Sequence, residues 1–432
     1  MSTHPAKRIL LLAASLGSGH LRAAEAVAEA LHKLEPSCQT EVLDIKQLVS
    51  PLFRVIQFQG YEFLIERAPW MWRFLYQNSL FEGRKFAAPR VLLEHGNPRL
   101  VERMRQFAPE TIVSTQINCH ELAYLLSRRS SAKTRIISVI TDYDVHPIWS
   151  KTPADLLVVA HRELFERLIG LGVDRAGVLA SGIPIASQFQ TPRDRSTLCA
   201  RFGLRPDVAT LLVMGGSVGF GELDQVVADL MRSERTYQIL AVAGHNEGVR
   251  HQLERLTESR DARGSENRGD NRSSLQIFGF VDFIPELMTV ADCFISKPGG
   301  LATTEALAIG LPMVFVNPIP GHEEKNAEFL ARHGAARAVQ SISQLRPALD
   351  SLFENSKANL NEMQIATRAL AKPDAAARLA EVILKKNPAS YVPTPSSVSS
   401  EQAIHHTERQ EPGNAGRPGR SHASTNITLP SE

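Results

Sequence analysis

Short apolar runs alternate with amphipathic stretches along most of the chain. The first run, residues 9–14, ends in a turn with two glycines, after which apolar positions recur at helical intervals as far as Leu34. Comparable runs lie at 110–116, 135–142, 155–160 and 176–184. Strands buried on both faces read as continuous apolar runs, and the helices between them cover the sheet. The pattern therefore predicts an α/β fold with a mainly parallel sheet.

A second series of the same units starts after a polar stretch at 186–197. Its apolar runs lie at 209–214, 237–243, 274–281, 293–296 and 311–317. We therefore predict two Rossmann-like, doubly wound domains, 1–188 and 189–386, which face each other across a cleft. Residues 257–274 have almost no apolar content and indicate a solvated surface insertion. The Pro- and Ser-rich residues 387–432 are typical of a disordered polar tail.

Composition places the chain among ordinary soluble globular proteins. Of its 432 residues, 43% are hydrophobic and 22% are charged, with a formal net charge of +2, so no nucleic-acid footprint is visible. The four cysteines are far apart without a CxxC pair, which argues against a zinc site and a disulfide framework and favours a reducing cytoplasm. No run approaches the ~18 apolar residues that a membrane span needs. The opening apolar run is short for a signal peptide and continues into a folded pattern.

The first glycine turn has Gly17 and Gly19 but lacks the third glycine of a GxGxxG dinucleotide motif. Glycine still allows a ligand to approach the backbone closely, and His20 follows at the start of a predicted helix. The positive helix end disfavours an imidazolium, so a neutral His20 is a candidate general base. A histidine that only caps the turn is the alternative.

The stretch "KPGGLATTEALAIGLP", residues 297–312, carries the clearest binding signal. A strand ends at Lys297, which is a candidate donor-binding residue. Gly299 and Gly300 expose the backbone, and a helix begins directly afterwards. Its free N–H groups suit a diphosphate. Glu305 lies one turn into this helix, where a carboxylate can accept hydrogen bonds from the vicinal hydroxyls of a ribose. A solvated helix glutamate is the alternative.

Two further loops carry candidate donor-binding residues. The loop "PIPGHEEKNAEFL", residues 318–330, is crowded with donors and acceptors that suit sugar hydroxyls. They are His322, Glu323, Glu324 and Asn326. Gly215 and Gly216 form a third glycine turn, which is another phosphate-facing candidate.

The stretch "TDYDVHPIW", residues 141–149, contains Asp142 and Asp144 at the spacing of a metal-binding DxD motif. Because a helix N-terminus is available for the diphosphate, we expect no metal and no other cofactor. Asp142 follows a strand and faces the predicted cleft, where it is the second candidate base and is expected to orient either His20 or the acceptor.

Residues 51–105 interleave aromatic rings with cations without a strict helical stripe. Such a surface can place rings in a lipid interface while its cations meet anionic headgroups. The candidate membrane and acceptor residues are Trp70, Trp72, Arg73, Phe74, Arg84 and Lys85. The alternative is that these rings fill the domain core.

Taken together, these motifs resemble those of the processive diacylglycerol glucosyltransferases and plant monogalactosyldiacylglycerol synthases. These are lipid-acting members of glycosyltransferase family 28 with the GT-B fold. The resemblance covers roughly residues 7–385 and rests on "SLGSGHLRAA", "TDYDVHPIW", "SGIPI", "GFVDFIPELM", "KPGGLATTEALAIGLP" and "PIPGHEEKNAEFL", in that order.

The resemblance implies inverting transfer of glucose or galactose from a UDP-sugar to the hydroxyl of diacylglycerol. It implies that Gly19 and His20 lie beside the acceptor and donor phosphates, and that Gly299, Gly300 and Leu301 bind the diphosphate. It implies that the backbone of Gly279, Phe280 and Val281 binds uracil. It further implies that Glu305 binds the ribose and that residues 322–326 bind the sugar. Many relatives carry glutamine at the position of His322, so the sugar preference stays open. The sequence around Tyr143 and Asp144 also departs from the usual pattern.

The expected partners are a UDP-hexose, diacylglycerol and an anionic membrane surface, with no nucleic acid. The expected location is the cytoplasm, peripheral on the inner face of the cell membrane. Three alternatives stay open: transfer of N-acetylglucosamine to a polyprenyl-linked acceptor, a UDP-sugar 2-epimerase, and a non-catalytic UDP-sugar sensor. The aromatic, basic segment 51–105 and the "PGHEEKN" loop favour the diacylglycerol branch.

Overall fold

The fold was taken from a computed structural model of the chain. It describes residues 6–15, 17–50, 54, 71, 74, 98–128, 133–215, 222–261, 273–354 and 357–385. Several predicted features lie outside the described residues. They are Gly216, the candidate membrane residues Trp70, Trp72, Arg73, Arg84 and Lys85, and the tail 387–432.

The first sheet has six parallel strands. They are β1 (Arg8–Ala13), β2 (Gln39–Asp44), β3 (Thr111–Ser114), β4 (Arg135–Val139), β5 (Leu156–Val158) and β6 (Val178–Leu179), in the spatial order β2-β1-β3-β4-β5-β6. The strand order reverses at β1, where Leu12 lies opposite Leu43 of β2 on one side and Ser114 of β3 on the other. A crevice therefore opens beyond the carboxyl ends of β1 and β3, which is where doubly wound sheets bind ligands.

Helices cover both faces of this sheet. Among the described residues they are α1 (Ser18–Leu34), α2 (Ile45–Leu48), α3 (Pro98–Phe107), α4 (Ile117–Ser127) and α5 (Arg162–Gly170). The longest, α1, starts after Gly17, whose φ of 139° is a conformation that L side chains rarely adopt. Its buried positions are mostly alanines, so α1 can approach its neighbours closely.

The second sheet also has six parallel strands. Its parallel strands are β7 (Ala209–Met214), β8 (Tyr237–Val242), β9 (Ser274–Phe278), β10 (Cys293–Ser296), β11 (Met313–Val316) and β12 (Ala336–Val339), in the order β12-β11-β10-β7-β8-β9. The order reverses between β7 and β10, where Met214 lies opposite Ser296. Gly215 and Lys297, the next residues along each strand, therefore begin the loops that border the second crevice.

The remaining described helices belong mainly to this second half. They are α6 (Arg195–Arg201), α7 (Leu223–Leu230), α8 (Glu247–Asp261), α9 (Ile284–Val290), α10 (Gly300–Ile309), α11 (His322–Arg332), α12 (Leu345–Phe353), α13 (Ala358–Leu370) and α14 (Ala375–Leu384). Short 3-10 turns lie at Pro147–Ser150, Arg175–Gly177, Ser187–Gln190 and Ile342–Gln344. The last helix, α14, returns to the first sheet, packs against α1 and receives a hydrogen bond from Arg135 to the Val382 carbonyl at 3.0 Å. The predicted second domain therefore ends in a helix that packs on the first.

The predicted α/β class with two doubly wound sheets is confirmed. Two edge strands, β2 and β12, were not predicted, because partly exposed edge strands lack continuous apolar runs. The predicted insertion 257–274 is too long, since α8 continues to Asp261 and β9 begins at Ser274. Across the part of the chain that the structure describes, no helix is both long and apolar enough to cross a bilayer.

Candidate active site

The two crevices meet where the loop after β4 contacts the start of α10. A Cβ atom built on Gly300 would lie 1.8 Å from the carbonyl oxygen of Thr141, whereas Gly299 has no such neighbour within 4 Å. Gly300 is thus required for close contact between the domains, and this role is additional to the predicted exposure of backbone N–H groups. A Cβ on Gly19 would lie 3.4 Å from the Cβ of Leu301, so α1 and α10 also meet near their first residues.

His20 lies half-buried in the first turn of α1. Its Nδ1 is 2.8 Å from the carbonyl oxygen of Thr115 and 3.0 Å from Oγ1 of Thr141. A carbonyl oxygen can only accept a hydrogen bond, so Nδ1 carries the proton in the neutral ring and Nε2 keeps its lone pair. The Thr115 hydroxyl also donates to the carbonyl oxygen of His20 at 2.9 Å. Thr115 therefore holds both the backbone and the imidazole of His20.

Burial is the main cause that lowers the pKa of His20. The charge of Asp142 and the hydrogen bond to Thr115 act against it, and the nearby His322 lowers the pKa further. This lowered pKa favours the neutral imidazole near pH 7, and its main cause is burial, whereas the sequence argument relied on the helix end. The structure also brings His20, Asp142 and His322 together.

Asp142 acts on His20 through its charge. Its Oδ1 accepts a hydrogen bond from Nδ2 of Asn326 at 3.0 Å. The imidazole of His20 is bonded instead by Thr115, so of the two roles expected for Asp142 the structure contradicts the orientation of His20, and the orientation of the acceptor stays a prediction.

Asn326 joins the two domains. Its side chain is fully buried, and besides Asp142 it donates to the carbonyl of Pro298 at 3.0 Å and accepts from the backbone N–H of Tyr143 at 2.7 Å. A sugar could bind the Asn326 amide only if these contacts broke. In this arrangement the structure gives Asn326 an interdomain role in place of the predicted sugar contact.

Tyr143 inserts into the second domain beside Asn326. Its hydroxyl is 2.9 Å from Oγ1 of Thr304, and its ring stacks on Phe329 with a centroid distance of 5.3 Å. The neighbouring Asp144 is buried and forms an ion pair with Arg167. The second carboxylate of the DxD spacing is therefore already neutralised by an arginine.

The described residues include one other group with metal-ligand spacing, formed by His161, Glu163 and His333. The carboxylate of Glu163 is bonded there by Arg332 at 2.5 Å and by Nε2 of His333 at 2.7 Å. The two domains are thus also joined by an ion-pair cluster between α5 and the end of α11.

The loop before α11 is held by its own acidic residues. Glu323 accepts a hydrogen bond from the N–H of Ile319 at 2.8 Å, and Glu324 accepts one from the N–H of Gly321 at 3.2 Å. These two carboxylates shape the loop, whereas we predicted that they bind the sugar directly. His322, half-buried at the start of α11, is the residue of this loop that lies near His20.

Glu305 is a buried carboxylate with a strongly perturbed pKa. Its residue is only 4% exposed, and burial raises its pKa to about 7, while the charge of Arg22 acts in the opposite direction. No hydrogen-bond donor to its carboxylate is found among the residues that the structure describes. A buried acceptor without a donor is unfavourable, so it fits a site for an incoming hydroxyl group.

The remaining predicted donor residues lie at the carboxyl ends of β7 to β10. Gly215 is buried after β7, and Lys297 is half-buried after β10. Phe280 follows β9, is 55% exposed, and stacks on His245 with a centroid distance of 4.2 Å and an interplanar angle of 12°. Val281 packs against the core beside it.

Sequence reasoning missed His245, Thr115, Thr141 and Arg22. His245 follows an apolar run, as the predicted candidates do, so its position at a strand end could have been used to find it. The two threonines act through contacts that become visible only in three dimensions. Phe74, predicted to face a membrane, is 55% exposed.

Comparison with known proteins identifies relatives over most of the chain. The model of monogalactosyldiacylglycerol (MGDG) synthase matches residues 20–185, and that of the glycosyltransferase family 28 C-terminal domain matches residues 210–379. A processive diacylglycerol beta-glucosyltransferase of Bacillus licheniformis is 29% identical over 360 residues, which are 83% of this chain and 89% of the relative. One of Bacillus subtilis is 28% identical over 369 residues, covering 83% and 92%.

Among solved structures, MurG of Acinetobacter baumannii is similar with a TM-score of 0.57 and 20% identity, covering 88% of this chain and 99% of its own. This likeness concerns the fold, and it confirms the predicted GT-B arrangement. The sequence relatives confirm the resemblance drawn from the motifs.

Proposed function

We propose that this chain, which belongs to the diacylglycerol glycosyltransferases of glycosyltransferase family 28, moves a hexose from a UDP-sugar to diacylglycerol with inversion. The observation that carries the proposal is the neutral His20, whose Nδ1 proton is committed to Thr115, placed where the first turns of α1 and α10 meet. A base and a set of free helix N–H groups at one point suit the transfer of a sugar from a diphosphate.

The reaction is a single displacement at the anomeric carbon. The hydroxyl oxygen of diacylglycerol forms the new bond to that carbon as the bond from the carbon to the diphosphate oxygen breaks. The acceptor proton goes to Nε2 of His20, and the bonding electron pair leaves with UDP. General-base catalysis of this kind contributes typically ~10² to 10⁴ in rate. Asp142 supports the charge that His20 gains.

The donor lies along the second crevice. The N–H groups at the start of α10 bind the diphosphate, and Glu305 accepts from the ribose hydroxyls. The pair formed by Phe280 and His245 borders the uracil, and His322 borders the sugar. Three features support this placement of the donor groups: the unpaired buried carboxylate of Glu305, the exposed ring of Phe280, and the position of His322 near His20. Glu323 and Glu324 hold the sugar-side loop in shape.

We further propose how the enzyme works without a metal and where in the cell it acts. The reaction proceeds without a metal, since the helix N-terminus takes the charge of the leaving UDP. The enzyme works at the inner face of the cell membrane, where the segment 51–105 meets anionic lipid, and it binds no nucleic acid. The ion pair of Asp144 with Arg167 supports a reaction without a metal, because it leaves no free pair of DxD carboxylates.

The rival functions share this fold, so the fold does not separate them. The MGDG synthase match over residues 20–185 and the names of the sequence relatives favour diacylglycerol over a polyprenyl acceptor and over 2-epimerisation. The hexose stays open, because that family description names galactose and the relatives are named for glucose.

The proposal is tested by incubating the protein with diacylglycerol vesicles and radiolabelled UDP-glucose or UDP-galactose, followed by lipid extraction. Label from one of the two donors is expected in the organic phase, with UDP released in equal amount. Vesicles without diacylglycerol are the control. Label that stays in the aqueous phase with both donors would refute lipid glycosylation.

A further inference from the structure

The helices α1 and α10 come from different domains and lie side by side at their first turns. Gly19 of α1 approaches Leu301 of α10, with 3.4 Å between the position of a built Cβ and the Leu301 Cβ. Residues three or four apart share one face of a helix. Arg22 therefore follows Gly19 on the face directed at α10, and Glu305 follows Leu301 on the face directed at α1.

Arg22 is half-buried on this face. Its charge reaches Glu305, whose pKa it lowers against the effect of burial. Within the described ranges, however, the guanidinium has neither a hydrogen bond nor an ion pair, unlike Arg167, which pairs with the buried Asp144. A guanidinium that is partly removed from water without an anion bonded to it is unfavourable, so its position indicates a negatively charged ligand.

The geometry of the helix indicates where this ligand lies. Side chains on an α-helix lean toward the helix N-terminus. We therefore expect Arg22 to lean toward the first turn of α1, which holds His20 and adjoins the first N–H groups of α10. Arginine binds phosphate oxygens with two parallel hydrogen bonds, which makes it well suited to a diphosphate.

We propose that Arg22 binds the diphosphate of the UDP-sugar from the first domain and stabilises it as it leaves. The inference rests on the proposed function, because it uses the same donor. As the bond between the anomeric carbon and the diphosphate oxygen breaks, the electron pair moves onto the diphosphate, and Arg22 balances the added negative charge. A cation supplied by the first domain would also make donor binding depend on contact between the domains.

The test compares binding of UDP and of uridine by calorimetry in the wild type, Arg22→Met and Arg22→Lys. One charge-assisted contact with a phosphate corresponds to about 10- to 100-fold in affinity. Arg22→Met is expected to weaken UDP binding by this factor and to leave uridine binding unchanged. Arg22→Lys keeps the charge without the paired geometry, so an intermediate loss is expected. Lys33→Met, at an exposed position on the same helix, is the matched control.

Two results would overturn the inference. Unchanged UDP affinity in Arg22→Met would show that the guanidinium does not touch the diphosphate. An equal loss for UDP and uridine would show that Arg22 acts only through Glu305 and the ribose. A wild-type protein that binds no UDP would instead refute the proposed function itself, so the two failures are distinguishable. With saturating donor, Arg22→Met is also expected to lower kcat, because the charge on the diphosphate grows in the transition state.

Discussion

Replacing Glu305 by glutamine removes a charge that the folded protein holds away from water. Burial raises the pKa of this carboxyl from 4.5 to about 7. One pKa unit corresponds to about 1.4 kcal/mol, so the difference of about 2.5 units corresponds to about 3 kcal/mol. Because the folded-state pKa lies above the unfolded one, the unfavourable effect is absent below pH 4.5, grows as the pH rises, and is complete above pH 7.

Glu305→Gln is therefore expected to increase the free energy of unfolding by about 3 kcal/mol at pH 8 and to change it little at pH 4.5. The measurement is urea unfolding of both proteins at the two pH values. Glu362→Gln, at an exposed glutamate of α13, is the control and is expected to change stability at neither pH. A variant no more stable than the wild type at pH 8, or equally stabilised at both pH values, would show that the buried charge of Glu305 does not destabilise the fold.

The same substitution is expected to weaken UDP binding, because a carboxylate accepts hydrogen bonds more strongly than an amide. A loss of about 10-fold is expected, measured by calorimetry at pH 8. For the wild type, UDP affinity should fall as the pH drops below 7, since the protonated carboxyl has to release its proton to accept two hydroxyls. Stability gained together with binding lost would identify Glu305 as a residue retained for function.

Three further variants test the contact between the domains and the predicted membrane segment. Gly300→Ala places a Cβ 1.8 Å from the Thr141 carbonyl oxygen, so kcat/KM should fall about 10²-fold. Gly299→Ala is the control, because a Cβ there has open space around it, and its kcat/KM should fall far less. Equal losses of kcat/KM in the two variants would contradict this. Asn326→Ala removes three hydrogen bonds, of which those to Asp142 and Tyr143 join the domains. It should lower the free energy of unfolding by about 2–4 kcal/mol, whereas unchanged stability with a raised KM would restore the predicted sugar contact. Trp70→Ala with Trp72→Ala should weaken co-sedimentation with anionic vesicles at unchanged stability, and lost stability with unchanged binding would place these rings in the core.

The sequence predicted the two sheets because buried parallel strands leave continuous apolar runs, and it located the glycine turns because these follow such runs. It did not reveal β12, whose sequence "ARAV" is buried at its two ends and half-buried or exposed between them. The edge of a sheet needs no apolar residues on both faces, so the signal is absent there.

The sequence predicted where the candidate site residues lie better than what each of them binds. Asn326, Glu323 and Glu324 looked equivalent in a polar loop, yet the first binds the opposite domain and the other two bind backbone N–H groups of their own loop. Which polar atoms are already bonded depends on contacts between residues 142 and 326, or 20 and 115. The first contact is set by the packing of the two domains and the second by the fold of the first domain, and a linear pattern contains neither.

In the proposed reaction a neutral His20 removes the acceptor proton as UDP leaves. The most direct test of this step is the rate of hexose transfer to diacylglycerol by the wild type, His20→Ala and His32→Ala, with UDP affinity measured in parallel. His32 is an exposed histidine near the end of the same helix. We expect a loss of ~10² to 10⁴ for His20→Ala alone, with UDP still bound. With saturating donor, the wild-type rate is expected to fall only below pH 6.5, because the pKa of His20 is lowered from that value. Turnover of His20→Ala within about threefold of the wild type, a change far below that range, would contradict it.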